Sequence, residues 1–360
     1  MSAAVEVRRD TRSGRGADTT ALLGSLVAAI ALTGLLFDQI APFSGVVGFV
    51  VIAYPVFLAL YALLLSLGED GLAVRDRLAS VVVSSLAVVA GLALAAIIAY
   101  PVIEGWDPLW LGNFYTEDMS NAGPLDPIEV GGILHAAVGT LWQITIALAV
   151  TVPLGLTCAL FLNETRGAFT RLVRTIVEAM TALPSIVAGL FIFASLVLSL
   201  GVERSGLAAG CAISVMMLPI MIRAADVVIR LVPSSLREAS LALGAGQLRT
   251  AWHVVLPTAR SGLTTSVLLA TARGVGETSP VLITAGYTQY LNWDPTVDAQ
   301  VSLPLATFTL VSSSEPSMQE RGFGAAAVLI VLVLVLFGLA RLIGGRAPGA
   351  PARRLTRRKA

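Results

Sequence analysis

The sequence predicts an all-α membrane protein, a polytopic bundle of helices, and three observations carry that prediction. Hydrophobic residues make up 56% of the 360 and charged residues only 13%, where a soluble domain carries about a quarter charged. Mean hydropathy is +0.83. The apolar residues come in continuous runs rather than the alternation of a barrel strand, and lipid admits only helices or closed barrels.

A helix needs about 20 apolar residues to cross the hydrocarbon core, and the chain offers eight such runs in order. Residues 1–19 form a basic N-terminus with Arg8, Arg9, Arg12 and Arg15. The run behind it, Thr20–Phe37, is longer than a signal-peptide core and lacks a small-residue exit, so it reads as an uncleaved span. Val46–Leu67 completes a pair within residues 20–70, and Leu78–Ile103 opens the segment 71–343. The loop 104–137 carries Glu104, Asp107, Glu117, Asp118, Asp126 and Glu129 without a basic residue, and its "GPLDP" and "VGG" read as turn chemistry rather than a packed domain. Val138–Leu162, Ile176–Leu200 and Gly206–Leu231 follow, the last interrupted by Pro219. Gly262–Ala285 is the seventh span. A loop with Tyr287, Tyr290, Asn292 and Trp293, placed for an aromatic belt, leads to the eighth, Gly322–Ile343, and a basic tail at 344–360.

Arginine placement orients the bundle, because basic loops stay in the cytoplasm. With both ends inside, the inner segments hold Arg75, Arg77, Arg166, Arg171, Arg174, Arg237, Arg249 and Arg260 besides the termini, and the outer ones only Arg204 and Arg321. The expected topology is therefore multi-pass with N- and C-termini cytoplasmic. Cys158 and Cys211 lie in apolar runs and read as small buried hydrophobes. No Walker A pattern, paired catalytic carboxylates, Cys/His metal cluster or nucleophile elbow occurs, so the chain is expected not to be an enzyme and not to hydrolyse ATP itself, to hold no metal and to bind no nucleic acid.

Residues 232–261 are too long and too polar to be a plain connector. Pro233 and Ser234–Ser235 start a helix, Gly244 and Gly246 stop it, and "QLRTAWHVVLP" makes a second one ended by Pro257. The pair suits either a knob for a soluble partner or an amphipathic hairpin on the membrane.

Two places put charge inside a span. Arg273 and Glu277, in "ATARGVGETSP", are four apart and on one helix would share a face. A charge at mid-span costs at least about 2.5 kcal/mol, so the pair marks either a pathway for an anion, which an arginine fork suits, or a structural ion pair. Gly274 and Gly276 remove bulk beside it. Arg223 and Asp226, three apart on the sixth run, read equally as a second anion contact or as charges snorkelling to the interface. Pro184 and Pro219, with those glycines, are candidate hinges or simple kinks.

"EASLALGAGQLRTAWHVVLP" resembles the coupling-loop signature of ABC importer permeases. Glu238 and Ala239 take its first two positions, Gly244 the glycine, and Leu256–Pro257 the end, with Ser240 and Val254 as conservative departures. With "MTALPSIVAGLF", "LPIMIRAADVVIRLVPSSLREAS" and "ATARGVGETSPVLITAG", residues 78–343 resemble the phosphate ABC transporter permeases of the PstA type. That resemblance implies a six-helix permease core plus two extra N-terminal transmembrane helices, in a bacterial inner (plasma) membrane. It also implies docking of the loop 232–261 on a PstB-like ATPase dimer that binds the ATP and Mg, a PstC-like second permease, a PstS-like phosphate-binding protein, and functional charges in the Arg273 span. Permeases for sulfate or molybdate are the near alternative. A stand-alone secondary transporter would need inverted repeats, which are not seen.

Overall fold

The computed structural model describes residues 15–40 and 45–344. Of the predicted basic ends, Arg8, Arg9, Arg12, Arg346, Arg353, Arg354, Arg357, Arg358 and Lys359 lie outside the described residues. Among those described there are helices and no strands, and they fall into two compact units divided between Ala96 and Ile97.

In the first unit α1 (Arg15–Leu35), running on as a π turn, packs along α2 (Val46–Ser66), and the start of α3 (Gly71–Glu104) closes on them. Ala29, Phe57, Tyr61 and Leu65 form their core. Tyr54 and Ser85 share a hydroxyl hydrogen bond of 2.6 Å. No residue of α3 is buried within the protein, as expected of a helix that faces lipid or another chain.

The second unit is built on α5 (Leu134–Glu164) lying along α8 (Gly206–Arg230). The two backbones approach closely because small residues line the seam. A Cβ on Gly155 would stand 2.6 Å from Met221, and one on Gly210 2.7 Å from Ile146. Pro153 and Pro219 both sit inside unbroken helix, which neighbouring helices allow in a membrane. The last helix, α14 (Pro316–Gly344), packs on α13 (Leu303–Val311) and α11 (Leu256–Val275).

Two predicted spans are broken. Ile176–Leu200 is two helices, α6 (Ala168–Thr181) and α7 (Ser185–Ile192, extended as a π-helical turn to Ser199), bent by 109°. Pro184 causes the break: at φ −61° and ψ 142° it has left the helical region, and it carries no N–H to continue the ladder. Gly262–Ala285 ends as α11 at Val275, and a new helix, α12 (Ser279–Thr284), starts with Pro280 in its first turn. Six described helices are thus long and apolar enough to cross a membrane, or seven with the bent pair, rather than eight.

Two further expectations need correction. Pro257 opens α11 rather than ending the helix before it, since proline is tolerated in a first turn. The loop 104–137 is a packed cap and not a string of turns. It holds a short 3₁₀ turn and α4 (Gly112–Thr116), and it buries Phe114 and Met119 completely. The segment between α12 and α14 also holds α13, whose Leu303, Leu305 and Ala306 are wholly buried although nine residues are too few to span.

Candidate functional site

The two helix breaks meet. Gly189 of α7 lies against α12, where an added Cβ would stand 2.7 Å from the Cα of Pro280. Ser185, the first residue of α7, lies beside the Glu277 carboxylate. Glu277 sits in the gap between α11 and α12, its backbone N–H donating to Gly274 O at 3.2 Å. Its side chain is 5% exposed and reaches Arg273 with a 3.1 Å contact from Oε1 to the guanidinium, which is 55% exposed. The carboxylate is held inside and the guanidinium leans out from the chain, with most of its five donors uncommitted.

The glycines on either side differ in purpose. A Cβ on Gly274 would collide with Met217 and Ile213 of α8, so this glycine seats α11 on the bundle. A Cβ added to Gly276 would come no nearer than 4.0 Å to a residue beyond its chain neighbours, at the carbonyl oxygen of Arg273, so that flank is open. The predicted pairing of 273 with 277 is present, but it bridges a helix end instead of running along one face of a regular helix.

Asp226 is placed otherwise. Buried on α8, it accepts hydrogen bonds from Asn163 of α5 (2.7 Å), Arg174 of α6 (3.0 Å) and Arg230 (2.8 Å). It therefore joins three helices. Arg223 makes no ion pair with it; exposed, it lines a hollow of about 220 Å³ with Arg174, Glu178 and Arg230. The sequence reading missed Asn163 and Arg174, which stand 63 and 52 residues from their partner. Arg174 had the look of one more loop cation.

The loop 232–261 forms an elbow of two short helices. α9 (Ser234–Ala242) ends at Gly244, whose φ of +83° a side chain would resist. α10 (Gln247–Thr250) continues through a π turn into α11. Ser240 and Thr250 tie the two arms by a 2.9 Å hydroxyl contact. Arg237 donates to Glu164 at the end of α5 (2.7 Å) and to Ile229 O (3.0 Å). Beneath the elbow Ala225, Ile229, Ala251 and Val255 form a buried core with Ala159. Glu238, Ala239, Gly244 and Pro257 are exposed and Leu256 half-buried. Leu243 (90%) and Leu248 (74%) protrude as apolar tips. Of the hinge candidates, Pro184 stands at the 109° bend and Pro219 lies buried in continuous helix. No group of three metal-ligating side chains occurs among the described residues.

A family model described as binding-protein-dependent transport system inner membrane component matches residues 151–347. The phosphate transport system permease protein PstA 1 of Mycobacterium tuberculosis (strain CDC 1551 / Oshkosh) is 37% identical over 250 residues, 69% of this chain and 82% of its own. The PstA protein of Pasteurella multocida (strain Pm70) is 32% identical over 218 residues, 60% of this chain and 77% of its own. Among solved structures, a bacterial ABC transporter involved in the import of the acidic polysaccharide alginate aligns over 75% of this chain and 98% of its own, at 14% identity and a TM-score of 0.51, which speaks for the fold.

Proposed function

The chain belongs to the binding-protein-dependent transport system inner membrane components, and from that membership we propose that it is the permease subunit of an ATP-driven importer of inorganic phosphate. The observation that carries the substrate path is the half-exposed Arg273 fork at the meeting of two helix breaks, backed by a buried carboxylate and flanked by the open side of Gly276. A planar guanidinium with free donors fits a tetrahedral oxyanion. Similarity to proteins named as phosphate permeases supplies the cargo.

In this reading Arg273 contacts the anion in transit. Glu277 orients the fork and competes with the anion for it, which keeps binding weak enough for release. Arg223, which shares the Arg174 hollow with Glu178 and Asp226 but forms no ion pair among the described residues, is a second contact further along. Gly276 and Pro184 let the two breaks shift. The pathway forms against a second, similar permease subunit, and phosphate arrives from an external binding protein. The elbow at 232–261 and both termini face the cytoplasm, where Glu238, Ala239 and Gly244 meet an ATPase dimer that holds the ATP and Mg. Arg237 and the shared core beneath the elbow make it move as one body with α5, α8 and α11.

The test is phosphate uptake by the reconstituted importer at equal protein abundance. Arg273→Ala abolishes uptake, and Arg273→Met with Glu277→Met restores abundance without restoring uptake, because apolar pairs replace buried ion pairs well in stability but not in anion recognition. Normal uptake by either variant sinks the reading. Competition by sulfate as strong as by phosphate moves the cargo to another oxyanion.

A further inference from the structure

We propose that Arg204 is a positioning residue of the anion path: it locks α7 and α12 into one plate, so that Glu277 keeps its place against Arg273. The inference rests on the reading of Arg273 and Glu277 given above. α12 is six residues long, less than two turns, and a helix that short does not hold itself together. Its last four carbonyls have no partner within the helix, yet all four are engaged. Val281 O accepts from the backbone N–H groups of Ala285 and Gly286 at 2.8 and 3.2 Å. The other three are served by two consecutive residues from elsewhere in the chain. Arg204 donates from Nη2 to Leu282 O (3.0 Å) and from Nη2 and Nε to Ile283 O (2.9 and 3.1 Å), and the Ser205 N–H donates to Thr284 O at 3.2 Å. A cation is the favoured group at such a terminus.

The same guanidinium lies 5.7 Å from the centre of the Phe193 ring, in the π-helical turn that prolongs α7. Arg204 therefore touches both broken elements, and it does so from a fixed point: Ser205 is wholly buried, and its Oγ accepts from the Ala208 N–H at 3.4 Å, capping α8. α7 and α12 advance side by side. Ser185 lies beside Glu277 at one end, Gly189 meets Pro280 in the middle, and Phe193 meets Ile283 through Arg204 at the other. Glu277 and Ile283 are six residues apart, about 9 Å at helical rise, so the latch and the carboxylate occupy the two ends of one short lever. With Arg204 in place, a shift at Pro184 and Gly276 carries both helices together. Without it, α12 turns on its Pro280 end and Glu277 loses its hold on the fork. Arg204 is exposed, so the carbonyls it leaves take water and the fold survives its loss.

Two measurements on the reconstituted importer test this. In the first, a Cys158→Ala, Cys211→Ala background carries spin labels at Leu190→Cys and Leu282→Cys, exposed positions on the two helices. Arg204→Met broadens the distribution of distances between the labels, and Arg204→Lys, whose ammonium still serves both carbonyls, leaves it as in the parent. An equally narrow distribution in Arg204→Met overturns the proposal, whatever the cargo of the path. In the second, on the unlabelled importer, Arg204→Met lowers KM for phosphate about 2- to 10-fold, in the same direction as loss of the Glu277 charge, because a fork freed from its carboxylate grips the anion harder. A raised KM overturns the proposal by making Arg204 a direct contact of the anion, and a lower maximal rate at unchanged KM overturns it by making the residue structural only. Added to Glu277→Gln, Arg204→Met changes KM no further; a further change also overturns it. Absence of any effect of Glu277→Gln alone on KM counts against the reading of the 273/277 site instead, and the distance measurement then decides the latch by itself.

Discussion

Glu277 and Asp226 are both buried carboxylates holding arginines, yet they hold them differently. Asp226 is saturated by Asn163, Arg174 and Arg230, whereas Glu277 meets only the edge of one fork and leaves the rest of it free. The first arrangement fixes helices; the second presents a cation. Asp226→Asn should therefore act on stability, lowering it by roughly 1–3 kcal/mol because both arginines stay partly solvated, read as thermal denaturation of the purified protein. Glu277→Gln should act on transport, lowering KM for phosphate and maximal uptake together, since the fork grips the anion harder and releases it more slowly. The 273/277 pair was legible because a spacing of four is local information. The Asp226 cluster was not, because Asn163 and Arg174 reach it only after α5, α6 and α8 have packed.

Broken helices separate the site from the scaffold. α5 and α8 run unbroken past Pro153 and Pro219, while α6–α7 and α11–α12 break, and the breaks face each other. Composition registers all four segments as apolar runs, so hydropathy alone joins what Pro184 and Pro280 divide; the prolines were visible, but whether one kinks, starts or leaves a helix intact depends on its neighbours. Gly189→Val would press its side chain on the Pro280 backbone, which cannot turn aside, and should cost about 1–3 kcal/mol while slowing uptake. Parallel melting and transport assays check it. The elbow is the opposite kind of element, tied to the scaffold by Arg237 and by the core around Ala251 and Val255. Arg237→Met should leave ATPase binding intact and lower phosphate moved per ATP hydrolysed, because the link to Glu164 is lost; an unchanged ratio would show that the buried core beneath the elbow transmits the motion alone.

Across the second unit, the cap over residues 104–133 is stitched from distant parts of the chain. Asp118 accepts from the Leu291 backbone at 2.9 Å, Met119 N–H donates to Gln289 O at 3.0 Å, and Arg321 is 1% exposed beneath the cap. Its guanidinium donates to Pro127 O (2.6 Å), Val130 O (2.9 Å) and Asp126 O (3.3 Å). Arginine counting had made Arg321 a loop residue. Arg321→Met should strand those carbonyls, cost at least about 2 kcal/mol, and speed proteolysis within residues 104–133. The same clasp dictates an order of manufacture. Val130 leaves the ribosome 191 residues before Arg321 does, an interval of about 10–40 s at ordinary synthesis rates. Residues 289 and 291 can fasten Asp118 and Met119 earlier, but the three carbonyls of the cap have no cation to gather them until residue 321 is made, so a nascent chain stalled short of it carries a half-fastened loop.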